Sequence, residues 1–185
     1  VRAARARTLL HAGQLQQARQ LLSPADPDNA LPTWRLCRVQ MLSLEGKHDE
    51  ATELLEGLTT DFPRSVAVQA WLVETLLAAG RRSQAFSRLE KLRRKFNLRP
   101  ALDLRLARAL KRYGAPDRAL QAALRLARET EVVAAEAHVL AGEVLLDRGL
   151  PLCAAEHAEK ALKRDEEHVA ARGLSGRIAL ARGSN

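Results

Sequence analysis

Six glycines recur along the chain at nearly constant separation: Gly13, Gly46, Gly80, Gly114, Gly149 and Gly183, spaced by 33, 34, 34, 35 and 34 residues. Five residues after each of the first five stands an alanine: Ala18, Ala51, Ala85, Ala119 and Ala154. Further apolar residues keep step at Leu55, Leu89, Ala123 and Ala158, and at Leu58, Leu92, Leu126 and Ala161. Phe62 and Phe96 are one period apart. A period held across 185 residues restricts the fold to a stack of like units, each burying its faces on its neighbours. One such unit of about 34 residues cannot offset an ordering cost of roughly 1.5 kcal/mol per residue on its own.

The residue types say what the unit is. A glycine just past a helix takes the left-handed conformation without a Cβ penalty, and the alanine that follows lets a second helix approach closely. Pro32, Pro100, Pro116 and Pro151 fall where first helical turns should begin, the position proline tolerates. These signals predict first helices near 1–12, 32–45, 66–79, 100–113, 135–148 and 168–182. Their antiparallel partners fall near 15–22, 48–60, 82–96, 116–129 and 151–164. Pro24 and Pro27 lie in a long turn, 23–31, expected to be the loosest joint. Only six aromatics accompany 46% apolar residues, so leucine and alanine carry the packing. No apolar run reaches the roughly 18 residues of a membrane span.

The 34-residue period, the glycine between paired helices, the alanine five residues on, and Pro63 near a unit boundary resemble the tetratricopeptide-repeat family. The resemblance covers essentially the whole chain. Gly142 and Gly176, seven residues before their turn glycines, match the family's small packing residue in the first helix. Arg35, Gln69 and Asp103 depart from the pattern, standing where a bulky aromatic is usual. The resemblance implies an all-α, right-handed superhelical solenoid of about five antiparallel pairs plus a final helix. The repeats are expected near 1–30, 31–64, 65–98, 99–131 and 132–167, with a final helix over 168–182, as one repeat domain. It also implies a non-enzymatic scaffold in which the first helices line a concave groove and the second helices form the convex side.

Val1 begins in register inside a helix, and a first helix carrying Val169, Leu174, Ile178 and Leu180 stands last. The chain is therefore expected to be a piece of a longer repeat protein, with any targeting segment outside it. Cytoplasmic and periplasmic settings are equally compatible with the residues present. Cys37 and Cys153 are too far apart in a stack to form a disulfide and read as small buried hydrophobes. His11, His48, His138, His157 and His168 show no metal-binding spacing, and His138 takes a core-facing place. Every turn glycine is explained by the period, which leaves no phosphate loop. No catalytic residue, metal, cofactor or small-molecule substrate is expected.

Charge is uneven. Between Arg81 and Arg128 fifteen basic residues face Glu90, Asp103 and Asp117, a net of +12 in a chain whose total is +8. The helix over 82–96 turns Arg88, Lys91, Arg94 and Lys95 away from the face formed by Ala85, Leu89, Leu92 and Phe96. That stripe is either a solvated face or a docking patch for an acidic protein, a polyanion or an anionic membrane surface. Six residues before the turn glycines stand Arg7, Gln40, Glu74, Arg108, Glu143 and Arg177. Glu74 and Glu143 should flank Arg108, and Asp147 should face Arg112, leaving Lys111 as the least neutralised cation. Leu36, Leu44, Leu77, Leu104, Val139, Leu146 and Leu180 would form an apolar trough if exposed.

The leading expectation is a protein- or peptide-binding scaffold whose groove contacts centre on Leu77, Leu104, Arg108, Lys111, Arg112, Glu143 and Leu146. A second reading is an anionic polymer, acidic polysaccharide or nucleic acid, held on the basic convex patch of 81–128. Its aromatic platforms are few, because Trp34, Trp71, Phe62 and Phe96 read as structural, leaving Tyr113 and Phe86. A third is a spacer that holds flanking domains apart, or a module that self-associates through exposed terminal helices.

Overall fold

In the computed structural model, residues 2–22 and 32–183 are described, and they form eleven α-helices and no strand. They are α1 (Arg2–His11), α2 (Leu15–Leu21), α3 (Pro32–Leu44), α4 (His48–Asp61), α5 (Val66–Ala78) and α6 (Arg82–Lys95). There follow α7 (Pro100–Arg112), α8 (Pro116–Glu129), α9 (Ala134–Asp147), α10 (Pro151–Arg164) and α11 (Val169–Gly183). The turn over 23–31, with Pro24 and Pro27, lies outside the described residues. Every expected helix that falls on described residues is present, with ends within one or two positions.

The punctuation works as its chemistry requires. Gly13, Gly46, Gly80, Gly114 and Gly149 have φ between 72° and 77°, the left-handed region a side chain resists. Gly183 is different, because it is the last residue of α11 and does not adopt positive φ. The five alanines that follow the turn glycines are all 0% exposed. Pro100, Pro116 and Pro151 occupy the first helical turns of α7, α8 and α10. Where no proline stands, Ser65 caps α5, its Oγ accepting from the Val68 N–H at 3.4 Å.

The chain divides into two compact units, Val1–Phe96 and Asn97–Asn185. In unit 1, α1 packs on α2 and α3, and the series continues α3 on α4, α4 on α5 and α5 on α6. In unit 2, α7 packs on α8 and α9, α8 on α9, and α9 on α10 and α11, with α10 on α11. Helices thus meet neighbours one or two places along the chain, the arrangement of stacked hairpins.

Ion pairs cross between successive hairpins. Arg81 bonds Asp49 at 2.6 Å and Arg88 bonds Glu56 at 3.2 Å in unit 1. Arg148 bonds Asp117 at 2.5 Å and Arg164 bonds Glu131 at 2.9 Å in unit 2. In these four, the acid belongs to the earlier hairpin and the arginine to the later one; Arg19 with Glu45, at 3.6 Å, runs the other way. Exposed pairs of this kind contribute about 0–1 kcal/mol each.

The three departures from the aromatic pattern occupy one position, and two of them share a physical account. Arg35, Gln69 and Asp103 are each the fourth residue of a first helix. Arg35 bonds Asp61 of α4 at 2.5 Å and reaches over Gly57, where a Cβ would come within 2.8 Å of its Nη2. Asp103 is 4% exposed and takes a charged hydrogen bond from Arg125 of α8, which also bonds Glu129 at 3.0 Å. Burial opposes the Arg125 charge, but the two carboxylates outweigh it and raise its pKa. An ion pair therefore stands in these two repeats where an aromatic ring is usual.

Gly142 and Gly176 do not share a role. A Cβ on Gly142 would lie 2.6 Å from Leu174 Cδ2 and 3.2 Å from the Ala154 carbonyl oxygen, whereas Gly176 faces open space. Leu174 is itself buried and cannot swing clear. Gly142→Val should therefore cost about 2 kcal/mol through overpacking, while Gly176→Ala should add about 0.5–1 kcal/mol through helix propensity. Urea unfolding followed by circular dichroism measures both; shifts of the same sign would refute the distinction.

Candidate functional site

The first helices line concave surfaces in both units. In unit 1, Ala3, Ala4 and Arg7 of α1, Thr33, Leu36, Cys37 and Gln40 of α3, and Trp71 of α5 surround a concavity of about 420 Å³. The buried Cys37 thiol donates to the Ala3 carbonyl at 3.4 Å. Burial raises its pKa, against a smaller opposing effect from Arg7.

In unit 2 a concavity of about 610 Å³ is bounded by α7, α9 and α11, with Arg108, Lys111, Arg112, Glu143 and Asp147 at its wall and Val139, Leu140 and Ala170 beside them. This gathers four of the expected groove residues: Arg108, Lys111, Arg112 and Glu143. Their pairing differs from expectation. Lys111 bonds Glu143 at 2.8 Å and Asp147 at 3.1 Å, so it is the best neutralised of the three cations. Arg177 of α11 approaches the same two carboxylates at 4.0 and 3.4 Å. No ion pair holds Arg108 or Arg112 among the described residues, and both are exposed. The expected facing of Asp147 and Arg112 is replaced because adjacent residues on a helix point about 100° apart, and Lys111 is the one turned toward α9.

The apolar part of the expected groove is corrected too. Leu77 is 2% exposed and Leu104 4% exposed, so neither offers a contact surface. Leu77 sits on α5, which is buried on nearly every side, leaving no free face to read from helical periodicity. Val139 is also buried. Leu146 is half-buried, packed against the cluster of Ala154, Ala158, Leu174 and Ile178. Leu44 and Leu180 are exposed, and Leu36 borders the unit 1 concavity. Sequence reasoning missed Leu140, Ala170, Gly114 and Pro116, which border the unit 2 concavity. Their only sequence signal is position near the turn or on the first helices.

The second-helix stripe is present. On α6, Ala85, Leu89 and Leu92 are buried while Lys91, Arg94 and Lys95 are exposed and Arg88 is half-buried. Two other residues differ from expectation. Cys153 is exposed, since the buried alanines of α10 are the next residue, Ala154, and Ala158 and Ala161. Phe62 is 40% exposed.

His138 and His157 meet between α9 and α10, Nδ1 to Nδ1 at 3.0 Å, one ring nitrogen donating and the other accepting. The His138 pKa is pushed down to about 4 by burial, then by His157, Arg164 and Lys160. His157 is lowered by burial and Lys160, with Glu156 opposing. This is a neutral packed pair, and among the described residues no three candidate ligands gather around a metal position.

Residues 42–97 match the family model described as tetratricopeptide repeat. That segment is a tetratricopeptide repeat. Solved structures of this fold agree along nearly the full length of the chain. A thermophilic tetratricopeptide-repeat protein of Thermus thermophilus, TTC0263, shares 20% identity, with a TM-score of 0.64 over 98% of this chain and 97% of that one. MamA from AMB-1 shares 24% identity, TM-score 0.59, over 90% of this chain and 98% of that one. YrrB, described as a TPR protein with an unusual peptide-binding site, shares 17% identity, TM-score 0.56, over 92% and 88%. No curated protein matches the sequence. No helix among the described residues is long and apolar enough to cross a membrane.

Proposed function

We propose that the chain is an assembly scaffold that binds a segment of a partner protein in its concave faces, with Arg108 and Arg112 as the principal polar anchors. One observation carries this reading. In the unit 2 concavity the carboxylates of Glu143 and Asp147 are engaged by Lys111 and Arg177, while Arg108 and Arg112 have no ion-pair partner among the described residues. Arginine presents planar paired donors suited to carboxylates and peptide carbonyls. The description of YrrB as peptide-binding lends support from a protein of the same fold.

The test is affinity capture by the full chain and by an Arg108→Ala/Arg112→Ala variant, with captured proteins quantified by mass spectrometry. Loss of two charge contacts should reduce capture of specific partners about tenfold. Lys111→Ala should act differently, because it frees Glu143 and Asp147 and turns the concavity acidic. Identical capture by the parent chain and the double arginine variant would refute the assignment.

A further inference from the structure

Three repeats place equivalent residues at the fourth position of the first helix and the tenth and fourteenth of the second. In α3 and α4 these are Arg35, Gly57 and Asp61, closed by the Arg35–Asp61 ion pair. In α7 and α8 they are Asp103, Arg125 and Glu129, closed by Arg125 bonding both carboxylates. In α5 and α6 they are Gln69, Lys91 and Lys95. Two repeats thus supply cation and carboxylate from within, and the repeat between them supplies two cations and an amide.

The unclosed position is an open cleft. It measures about 640 Å³ and is lined by Gln69, Lys91 and Lys95 together with Ser83, Ser87 and Phe96, among others. The carboxylate it contains, Glu56, is engaged by Arg88 at 3.2 Å. Lys91 and Lys95 have no ion pair among the described residues, and Lys95 lies 5.5 Å from the Phe96 ring centroid. Ser83, Ser87, Lys91 and Lys95 are four residues apart along α6, one continuous stripe of about 18 Å at 1.5 Å per residue. That length accommodates roughly five residues of extended peptide at about 3.3 Å each.

We propose that this cleft takes the missing carboxylates from outside, as an acidic, extended segment of a partner protein. The ligand's acidic side chains would meet Lys91 and Lys95, in the place that Asp61 and Glu129 occupy in the neighbouring repeats. The Gln69 and Gln84 amides and the two serine hydroxyls are neutral hydrogen-bonding groups suited to a peptide backbone. A nucleic acid is less well served, since the cleft has one aromatic ring and no succession of stacking platforms. The site lies wholly in unit 1 and is independent of the Arg108 and Arg112 concavity.

The test is fluorescence anisotropy of a labelled hexaglutamate peptide titrated with the full chain. Gln69→Asp, which installs the acid found at Asp103, should close the cleft from within and weaken binding about tenfold, as should Lys91→Ala/Lys95→Ala. Lys160→Ala/Lys163→Ala, a charge-matched change on α10, should leave the affinity within about twofold, since neither lysine lines the cleft. Circular dichroism confirms that each variant folds. Absence of peptide binding, equal weakening by the α10 variant, or unchanged affinity in both cleft variants would overturn the proposal. Stronger binding of a single-stranded oligonucleotide, lost in Lys91→Ala/Lys95→Ala, would overturn the peptide assignment.

Discussion

Replacing Trp34 with alanine should lower the unfolding free energy of unit 1 by about 3–5 kcal/mol, the range for deleting a large buried aromatic. Trp34 is 0% exposed and lies in a cluster with Ala6, Leu10, Ala18, Leu22, Cys37 and Met41, which joins α1, α2 and α3. Small residues are prominent in that cluster, so few neighbours can move inward to fill the cavity. The Trp34 Nε1 has no hydrogen-bond partner among the described residues, and the Arg38 guanidinium carbon is 5.3 Å from its ring centroid. Trp34→Phe keeps most of the packing and removes an unsatisfied buried donor, so its cost should be far smaller than that of alanine. Both tryptophans are in unit 1, and Trp71 remains in the variants as the fluorescence reporter during urea unfolding. Equal losses for phenylalanine and alanine would show that ring packing is not the source.

Acidification to about pH 5 should destabilise unit 2 by about 2 kcal/mol through His138 alone, at about 1.4 kcal/mol per pH unit between its two values. The sign follows from the depressed folded value. Above pH 6.5 the imidazole is neutral in both states and the stability is complete. Between 6.5 and about 4 the unfolded chain binds a proton that the folded chain refuses, so stability falls with pH. His157 acts in the same direction. Facing groups reinforce the refusal, with Lys160 and Arg164 of α10 both disfavouring charge on His138. Unfolding measured from pH 7 to pH 5, above most carboxylate titration, should show the slope in the parent chain and lose most of it in His138→Gln/His157→Gln. An unchanged slope in that variant would refute the account.

What the sequence made legible follows from what each feature demands of the backbone. A turn glycine at positive φ and an alanine with no room for a larger side chain leave little choice of residue, so Gly80 and Ala85 announce themselves. Surface charges carry no such constraint. Whether Lys111 or Arg112 meets Glu143 depends on a 100° rotation that a helical wheel resolves only once the neighbouring helix is in place. The closed Asp103–Arg125 position is visible in principle, since Arg35, Gln69 and Asp103 stand one period apart. Seeing it requires comparing positions across both helices of each repeat, because cation and carboxylate exchange places from one repeat to another. Leu77 misleads for the opposite reason, as α5 is apolar nearly all round and its periodicity conceals which side is covered.

Four ion pairs set an acid of the earlier hairpin against an arginine of the later one, while Arg19–Glu45 and Lys111 with Glu143 and Asp147 run in the opposite sense, so each junction has its own charge pattern. A hairpin transplanted in reverse order would lose the partners its own junction supplies. Shuffled or inverted repeats would therefore join poorly, as mismatched keyed blocks do. Concatenated variants of this chain should tolerate insertion of a whole hairpin more readily than its inversion.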